Sequence, residues 1–487
     1  MAVSDSQAQS LARSIEVPAR QVPVAAECDV LVCGGGVAGL SAAVTAAREG
    51  AHTVLIERAG FLGGTATGAL MALIVIPFDQ LTGFPRELFE RLAARGGAGA
   101  GPVVPWDPEE YKLVALEMAQ EAGAEILLYS VASEPIVRDG VVRGVLVENK
   151  SGRQAILAKV TIDATADADV AARAGAAFQQ GRESDGAMRP ATVMGRFANV
   201  DLVRLARWVA EHPDDFAADP NRRVLDLGSG LVRIDGFYSI VDEARLRGLL
   251  PADTPVNYLR FSGLLRPPAV AEHADLICNS TRVYGVDGTN AADITRGEIE
   301  GRRQLHSLVG ACQQLLPGFE HSYLASTSSY LGVRETRRIV GRRTLSYEDL
   351  AGRRHFADSI AVMSSVDYGT AEVHGPEAGH EGSSQDRWAR ELVLELTQLE
   401  FPADALVPRD LHGLLVAGRC ASVTHDVDKF TRNMGPAALT GQAAGTLAAT
   451  LAQGHGSFGQ LPVKRVQERL RAAGVPIRLA DVAVPRR

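Results

Sequence analysis

The clearest pattern of apolar and polar segments lies between residues 29 and 64. Asp29–Cys33 is a short apolar run rich in valine, which is typical of a buried parallel strand. A glycine-rich turn follows it, and then a helical stretch of small residues that ends at Gly50. A second apolar run, Thr53–Ile56, comes next. This order of strand, helix and strand predicts a βαβ unit with a parallel sheet.

The pattern of alternating elements continues downstream. It predicts a helix over residues 108–122, a strand over Glu125–Ser130 and a buried strand over Lys159–Thr165. Turn sequences at Asp139-Gly140 and Lys150–Arg153 predict an antiparallel meander between the last two. We therefore expect β and α elements to alternate up to about residue 170, with one antiparallel interruption.

The middle of the chain has a different pattern. Residues 182–290 mix Pro-rich loops with short strands such as Phe237–Val241, and a long helix is predicted over residues 292–315. The βαβ order is absent there, which favours a separate domain that covers a substrate. An apolar strand returns at Gly413–Ala417, and a polar loop over Cys420–Asn433 then leads to a second helix rich in small residues.

The glycine-rich turn carries a recognisable motif. Gly34-Gly35-Gly36-Val37-Ala38-Gly39 matches G-x-G-x-x-G, and it stands between a strand and a helix. Gly34 permits the tight turn, Gly36 lets a pyrophosphate approach the backbone, and Gly39 lets helix and strand touch. Glu57 ends the second strand 23 residues after Gly34 and can accept hydrogen bonds from ribose hydroxyls. These features together predict an adenine dinucleotide site, the alternative being an ordinary glycine turn.

Composition narrows the class of protein. The 487 residues predict more than one domain, or one domain with a large insertion. A net charge of −8 argues against a nucleic-acid partner. The five cysteines have neither CxxC nor zinc spacing, so we expect reduced thiols in a cytoplasmic protein. No apolar run of about 18 residues is present, so we expect no membrane partner.

Longer motifs resemble a known group of enzymes. The opening motif, the Phe61–Thr65 loop and Thr161–Thr165 resemble the FAD-dependent oxidoreductases of the glutathione-reductase structural superfamily. Further segments are similar to one bacterial family of FAD-dependent oxidoreductases, over nearly the whole chain after residue 27. These segments are Val283–Thr289, Leu331–Gly341, Leu415–Cys420, Met434-Gly435 and Gly441–Gly445.

The resemblance implies a fold class and a domain organisation. We expect an α/β protein with a Rossmann-like FAD-binding domain, made of a parallel sheet plus an antiparallel meander, and an inserted α+β substrate domain. Residues 28–180 and 326–487 would form the FAD-binding domain, and residues 181–325 the substrate or cap domain. Residues 1–27 would be an N-terminal extension. Many relatives have glycine where this chain has Ala166.

The same resemblance implies how FAD is held. Because Phe61–Thr67 contains no histidine, we expect FAD to bind non-covalently, and the absence of a second G-x-G-x-x-G argues against a nicotinamide domain. The N-terminus of the helix near Met434 would stabilise negative charge on the reduced flavin. The residues expected to contact FAD are Gly34, Gly36, Val37, Ala38, Gly39, Glu57, Arg58, Gly63, Gly64, Thr65, Val131, Ala164, Thr165, Gly418, Arg419, Met434, Gly435 and Ala437.

Four residues are candidates for the chemistry. Arg334 can bind a substrate carboxylate or stabilise an enolate, with Glu335 as its ion partner, although structural ion pairing is an equal alternative. His425, in the loop before the second helix, can move a proton beside the flavin, or it is only a solvated side chain. Arg432 can bind substrate or flavin.

Two further groups are weaker candidates. His374, Glu377, His380 and Glu381 cluster in a Gly/Pro-rich loop, and we expect a surface loop there and no metal site. Tyr330 and Tyr368 are possible acids near the domain boundary, but we favour a packing role for both.

The expected function is hydride transfer between a small organic substrate and flavin N5. We expect oxidation of the substrate, with O₂ or another acceptor reoxidising the flavin. One alternative is an enoate reductase that resembles fumarate reductase, with an arginine as proton donor. Another is a flavoprotein with a structural or non-redox flavin, and a homo-oligomer is left open.

Overall fold

A computed structural model describes residues 15–265, 268–367 and 395–482. Two β-sheets, each with its own hydrophobic core, organise this part of the chain. The α-helices described are α1 (Val37–Arg48), α2 (Gly83–Ala94), α3 (Pro108–Glu121), α4 (Asp169–Arg173), α5 (Leu202–Glu211), α6 (Tyr238–Leu246), α7 (Ala291–Leu315), α8 (Tyr347–Ala351), α9 (His425–Thr431), α10 (Met434–Ala452) and α11 (Val463–Ala472).

The strands follow the same chain order. Most of them belong to the two large sheets, and the others form two-stranded pairs. The strands described are β1 (Val24–Cys33), β2 (Thr53–Ile56), β3 (Leu73–Ile74), β4 (Val104–Pro105), β5 (Glu125–Leu127), β6 (Val131–Arg138), β7 (Val141–Asn149), β8 (Gly152–Asp163), β9 (Phe178–Gln180), β10 (Gly195–Val200), β11 (Arg223–Asp226), β12 (Leu231–Gly236), β13 (Leu259–Leu264), β14 (Ala274–Cys278), β15 (Tyr323–Thr327), β16 (Arg337–Ile339), β17 (Ser359–Asp367), β18 (Glu395–Pro402) and β19 (Leu414–Val416).

The first sheet has the strand order β5-β2-β1-β8-β7-β6, with β19 paired to the carboxyl end of β8. Strands β5, β2, β1, β8 and β19 are parallel, and β6 and β7 form an antiparallel meander with β8. Between β6 and β7, Asp139 and Gly140 both have positive φ (52° and 72°), as a two-residue hairpin turn requires. The predicted α/β class, with its parallel sheet and meander, is confirmed.

The strands of this sheet end together. Cys33 of β1 pairs with Ile56 of β2 and with Asp163 of β8, and Val416 of β19 also pairs with Asp163. The last four residues of β1 are fully buried, because α1 and α10 cover the sheet there. The carboxyl ends of four parallel strands therefore meet at one edge, which is where open α/β sheets bind ligands.

The second sheet is antiparallel, with the order β11-β12-β13-β14-β10-β15. One face packs on a core that contains Phe197, Phe261 and Phe319, whose ring centres lie 5.0–6.3 Å apart. Successive side chains of a strand point to opposite faces of the sheet, so the residues between these apolar positions point away from the core. That opposite face contributes to the site described below.

Two elements differ from the prediction. Phe237–Val241 is not a strand: Phe237 has φ +64° and precedes the helix α6. Its ring packs against Trp208 and Phe216, so tertiary contacts decide between helix and strand for this short apolar run. The predicted loop Cys420–Asn433 contains the helix α9, of which His425 is the first residue.

Candidate cofactor and substrate site

A cavity of about 930 Å³ lies at the edge where the parallel strands end. Its wall includes the residues that follow β1, β2, β8 and β19, together with residues from the antiparallel sheet. Except for Gly39 and Gly63, all the predicted cofactor residues line it. They are Gly34, Gly36, Val37, Ala38, Glu57, Arg58, Gly64, Thr65, Val131, Ala164, Thr165, Gly418, Arg419, Met434, Gly435 and Ala437.

Close backbone contacts shape the glycine-rich turn. A Cβ on Gly39 would lie 1.8 Å from the carbonyl oxygen of Gly34, and a Cβ on Gly34 would lie 2.5 Å from that of Ala164. Both glycines therefore let the turn, α1 and the end of β8 pack together. Gly63 stabilises the turn, because its N–H donates a hydrogen bond to the carbonyl of Gly35 over 2.9 Å.

Glu57 is held at the cavity wall by two backbone hydrogen bonds. Its Oε2 accepts from the N–H of Gly35 at 2.6 Å, and its Oε1 accepts from the N–H of Ala59 at 2.7 Å. Each carboxylate oxygen has a second lone pair, so both can accept one more hydrogen bond. The contacts fix the direction of the carboxylate without using all of its acceptor capacity.

Asp163 organises the next part of the wall. Its Oδ1 accepts from the N–H and hydroxyl of Thr165, at 3.0 and 2.7 Å, and its Oδ2 accepts from the N–H groups of Val170 and Ala171. Burial raises the pKa of this carboxyl above its usual value, although the hydrogen bonds oppose the change. These contacts bind β8 to α4 and fix Ala164 and Thr165 at the cavity.

The N-terminus of α10 is a second place where a helix begins at the cavity. Asn433 precedes the helix, and its Nδ2 donates to the hydroxyl of Ser365 over 2.7 Å. Within α10, the hydroxyl of Thr440 accepts from the N–H of Gly418 at 2.8 Å, which holds the end of β19 to the helix. The positive ends of the α1 and α10 dipoles therefore face the same cavity.

The four candidates for the chemistry fall into two groups. Arg334 and Arg432 line the cavity. A guanidinium N–H of Arg334 donates to the carbonyl of Pro190, and Nε of Arg432 lies 3.9 Å from Oδ2 of Asp428. Glu335 and His425 do not line the cavity, and their side chains are 0% and 2% exposed. The sequence predicts His425 in a loop beside the flavin, whereas the structure buries its ring at the start of a helix.

Glu335 and His425 belong to a buried ionic network. The Nδ1 of His425 is 2.7 Å from Glu335, and Nη1 of Arg189 is 3.0 Å from Glu335 and 3.1 Å from Asp428. Arg338 also donates to Glu335. The network joins the loop before β10, the chain before β16 and the helix α9.

The two carboxyls of this network shift in opposite directions. Burial raises the pKa of Glu335, but the hydrogen bond with His425 and the charges of Arg189 and Arg338 outweigh it, so the pKa is lowered. For Asp428 burial dominates over the attraction of Arg189, and the pKa is raised. Of the two carboxyls, Glu335 is therefore the more readily ionised.

The antiparallel sheet and the segments next to its strands add residues that no sequence motif indicates. Tyr258, Arg260, Asn279 and Arg282 all line the cavity. The available signal was the alternation Tyr258-Leu259-Arg260-Phe261, in which polar and apolar side chains point to opposite faces of a strand. Sequence alone does not show which cavity such a face meets.

Of the weaker candidates, only Tyr330 lies among the residues that the structure describes. Tyr330 lines the cavity, stacks on Phe61 with ring centres 6.4 Å apart, and lies 5.6 Å from the guanidinium carbon of Arg58. Tyr368 and the cluster of His374, Glu377, His380 and Glu381 lie outside the described residues. Within residues 15–265, 268–367 and 395–482, no three or more histidine, cysteine or carboxylate side chains form a group that could hold a metal.

Comparison with known proteins gives the family and a few relatives. The sequence model of the family described as FAD dependent oxidoreductase matches residues 29–470. A thiamine thiazole synthase from Methanococcus vannielii is 31% identical over 158 residues, which are 28% of this chain and 56% of that protein. A digeranylgeranylglycerophospholipid reductase from Methanothermobacter thermautotrophicus is 35% identical over 143 residues, which are 26% of this chain and 36% of that protein. The matches therefore span little more than half, or less, of the length of these relatives.

One solved structure is also similar to this chain. A geranylgeranyl bacteriochlorophyll reductase-like protein from Thermoplasma acidophilum matches with a TM-score of 0.45 and 14% sequence identity. The match covers 94% of this chain and 86% of that protein. In the described part of the chain, no helix has the length and apolar character needed to span a membrane.

Proposed function

The chain belongs to the FAD dependent oxidoreductase family, and from this premise we propose that it transfers a hydride between a small organic substrate and N5 of FAD. The proposed direction is oxidation of the substrate, with O₂ or another acceptor taking up the electrons. One observation carries the proposal: the dinucleotide-type turn and the antiparallel sheet line the same cavity. Cavities between two domains are common substrate sites.

The residues around the turn fit FAD. Glu57 keeps acceptor capacity for ribose hydroxyls while two backbone N–H groups orient it. Gly36 lines the cavity, and a Cβ there would meet nothing nearer than 3.9 Å, so the bare backbone leaves room for a phosphate. The N-terminus of α1 also lines the cavity, and the first N–H groups of a helix can bind a phosphate. We propose that the binding is non-covalent, because Phe61–Thr67 contains no histidine.

The domain division is part of this proposal. Residues 28–180 and 326–487 would hold FAD, and residues 181–325 would cover the substrate. Two separate hydrophobic cores support the division, because one underlies the parallel sheet and the other underlies the antiparallel sheet. The substrate would lie between them.

We assign different roles to the four candidates for the chemistry. Arg334 and Arg432 line the cavity, so each can contact a substrate or the cofactor directly. Glu335 and His425 are positioning residues, because the buried network in which they lie holds Arg189 next to the cavity residue Pro190. In this assignment His425 moves no proton to or from the substrate.

The visible spectrum of the purified protein tests the proposal. We expect a yellow protein whose flavin absorbance is lost, without O₂, on addition of one member of a panel of small alcohols, amines and acids. Admission of air then tests O₂ as the acceptor. A protein bleached only by dithionite, and reoxidised by an enoate, would favour a reductase. A protein that stays colourless after addition of FAD would contradict the proposal.

A further inference from the structure

The antiparallel sheet presents a charged face to the cavity. In β12 and β13, the positions that face the core are apolar, and the positions between them are polar or charged. Tyr258 and Arg260 line the cavity from this face, and Arg282 joins them from the chain after β14. The apolar positions are Val232, Ile234, Leu259 and Phe261, the alternate positions are Arg233, Asp235 and Arg260, and Tyr258 directly precedes β13.

Two guanidinium groups converge on the hydroxyl of Tyr258. Nη2 of Arg260 donates to Oη over 3.2 Å, and Nη2 of Arg282 donates to it over 3.3 Å. Their guanidinium carbons lie 5.7 and 5.9 Å from the centre of the Tyr258 ring. The position of the Arg260 guanidinium is fixed by Asp235, because Nε of Arg260 donates to Oδ1 of this buried carboxylate over 2.9 Å. The oxygen of Tyr258 therefore marks a point where two positive groups meet at the cavity wall.

Asn279 lies beside this point. Its backbone N–H donates to the carbonyl of Arg260 over 2.9 Å, so the two residues are neighbours across the sheet. The Asn279 side chain lines the cavity, although the residue is only 5% exposed, and its Nδ2 lies 3.6 Å from the sulfur of Met71. Among the described residues, nothing donates a hydrogen bond to its buried Oδ1. A buried acceptor without a donor is unfavourable, and a ligand donor would remove that cost.

We propose that Arg260, Arg282 and Tyr258 form a subsite for the oxyanion of the substrate, and that Asn279 accepts a hydrogen bond from a hydroxyl or amino group next to that oxyanion. Guanidinium N–H groups bind carboxylate and phosphate oxygens strongly, and Tyr258 adds an O–H donor when it is neutral. The substrate class is then a small hydroxy or amino acid, or a phosphate ester with a neighbouring hydroxyl. The inference rests on the proposed function, since it names the substrate class of the same cavity.

Anion binding to the FAD-loaded protein tests the subsite without turnover. The probes are sodium acetate, sodium glycolate and inorganic phosphate, titrated calorimetrically at pH 7 against sodium chloride of equal ionic strength. We expect glycolate to bind several-fold more tightly than acetate, because only glycolate has a hydroxyl for Asn279. Tighter binding of phosphate than of both carboxylates would assign the oxyanion to a phosphate ester.

Three variants test whether the anion binds at the proposed subsite. Arg282→Gln should weaken the preferred anion by roughly tenfold or more, because it removes a charge-assisted donor. Asn279→Leu should abolish the preference for glycolate over acetate but retain acetate binding. Arg247→Gln is the matched control, since Arg247 is the exposed residue that caps the C-terminus of α6 and pairs with Glu243. It should bind the anions like the parent protein.

Two further measurements distinguish a loss of anion binding from a loss of folding or of FAD. The thermal unfolding midpoint shows whether each variant is folded, and Arg282→Lys should partly restore binding if Arg282→Gln loses it through charge. The FAD content and its reduction by dithionite are measured on the same samples. A yellow, reducible protein that binds no anion, or binds it equally after Arg282→Gln, would overturn the subsite but not the proposed function. A colourless protein would overturn both.

Discussion

Gly441 of α10 packs directly on the backbone of Ala38 in α1: a Cβ at position 441 would lie 2.0 Å from the Ala38 carbonyl oxygen. One turn later, a Cβ on Gly445 would lie 2.4 Å from the carbonyl oxygen of Ala42. The two helices therefore touch through their backbones. Since Ala38 lines the cavity and α10 begins at it, this contact sets the distance between the two helix N-termini that line the site.

Substitution of Gly441 by alanine should damage both the fold and the site. The new methyl group cannot fit without separating α1 from α10, and overpacking of this kind costs about 1–3 kcal/mol. We expect a lower free energy of unfolding and less FAD per protein, measured by denaturation and by absorbance at 450 nm. Gly310→Ala is the control, because a Cβ there meets nothing within 4 Å and alanine favours a helix. Equal stability of the two variants would contradict the prediction.

Glu57→Gln should weaken FAD binding more than it destabilises the protein. Both carboxylate oxygens of Glu57 accept backbone N–H bonds, and an amide offers only one oxygen in their place. We expect the dissociation constant of FAD, measured by fluorescence titration of the apoprotein, to rise by about tenfold.

The control for this change is Glu90→Gln. Glu90 is an exposed residue of α2 that pairs with Arg86, and its side chain is 53% exposed. Its replacement should leave the affinity for FAD unchanged. If Glu57→Gln also leaves it unchanged, the assignment of Glu57 to the ribose is wrong.

Ala166→Gly should stabilise the protein. Ala166 has φ +70°, a left-handed conformation that costs an L-residue about 1–2 kcal/mol and costs glycine nothing. Part of this gain is lost because glycine is more flexible in the unfolded chain, so we expect a net increase of roughly 0.5–1 kcal/mol in the free energy of unfolding. Ala206→Gly in the middle of α5 should instead lower it by about 1 kcal/mol. Chemical denaturation of both variants makes the comparison.

Arg189→Met should be strongly destabilising. The side chain of Arg189 is 1% exposed and lies between Glu335 and Asp428, so its removal leaves two carboxyls together in the interior. Breaking a buried ion pair from one side costs about 3–5 kcal/mol. Arg48→Met breaks the exposed pair with Glu87 and should cost about 0–1 kcal/mol. A similar unfolding free energy for both variants would remove the positioning role that we assign to the network.

Tyr258 should ionise at an unusually low pH. Burial raises its pKa, but the charges of Arg260 and Arg282 outweigh it and lower the pKa to about 8. Arg222 acts in the same direction and Asp235 opposes it. Tyr238, with its ring centre 6.1 Å away, and Tyr284 are two described phenols near Tyr258. The difference in absorbance at 295 nm between the parent protein and Tyr258→Phe should show one phenol that titrates with a midpoint near pH 8.

The matched control for this titration is Tyr330→Phe. Tyr330 also lines the cavity, but burial and the charge of Glu57 raise its pKa above the ordinary value. Its difference spectrum should therefore show no step below pH 10. A step near pH 8 in this control, or none with Tyr258→Phe, would contradict the assignment.

The same lowered pKa makes the contribution of Tyr258 to stability depend on pH. Because the pKa is lower in the folded state than in the unfolded state, the contribution is present above pH 10 and lost as the pH falls through 8. The difference in unfolding free energy between the parent protein and Tyr258→Phe should thus grow between pH 8 and pH 10. A constant difference would indicate that Tyr258 stays neutral.

The α/β class and the location of the dinucleotide-type turn follow from the sequence alone. Gly39 packs on Gly34, and Glu57 binds the backbone of Gly35, so both contacts lie within a stretch of about thirty residues. Contacts of such short range follow from the order of the elements, and so the spacing alone indicated them. The roles of the predicted FAD contacts remain predictions, although most of these residues line one cavity.

The surroundings of the reactive part of the site depend on tertiary contacts. His425 was predicted in a loop, yet its ring is buried against Glu335, 90 residues earlier in the chain. Tyr258 and Arg282 meet only because β13 pairs with β14. The physical reason is that burial and charge at a side chain depend on contacts between distant segments. Strand pairing and helix packing create those contacts, and a local pattern of residues does not contain them.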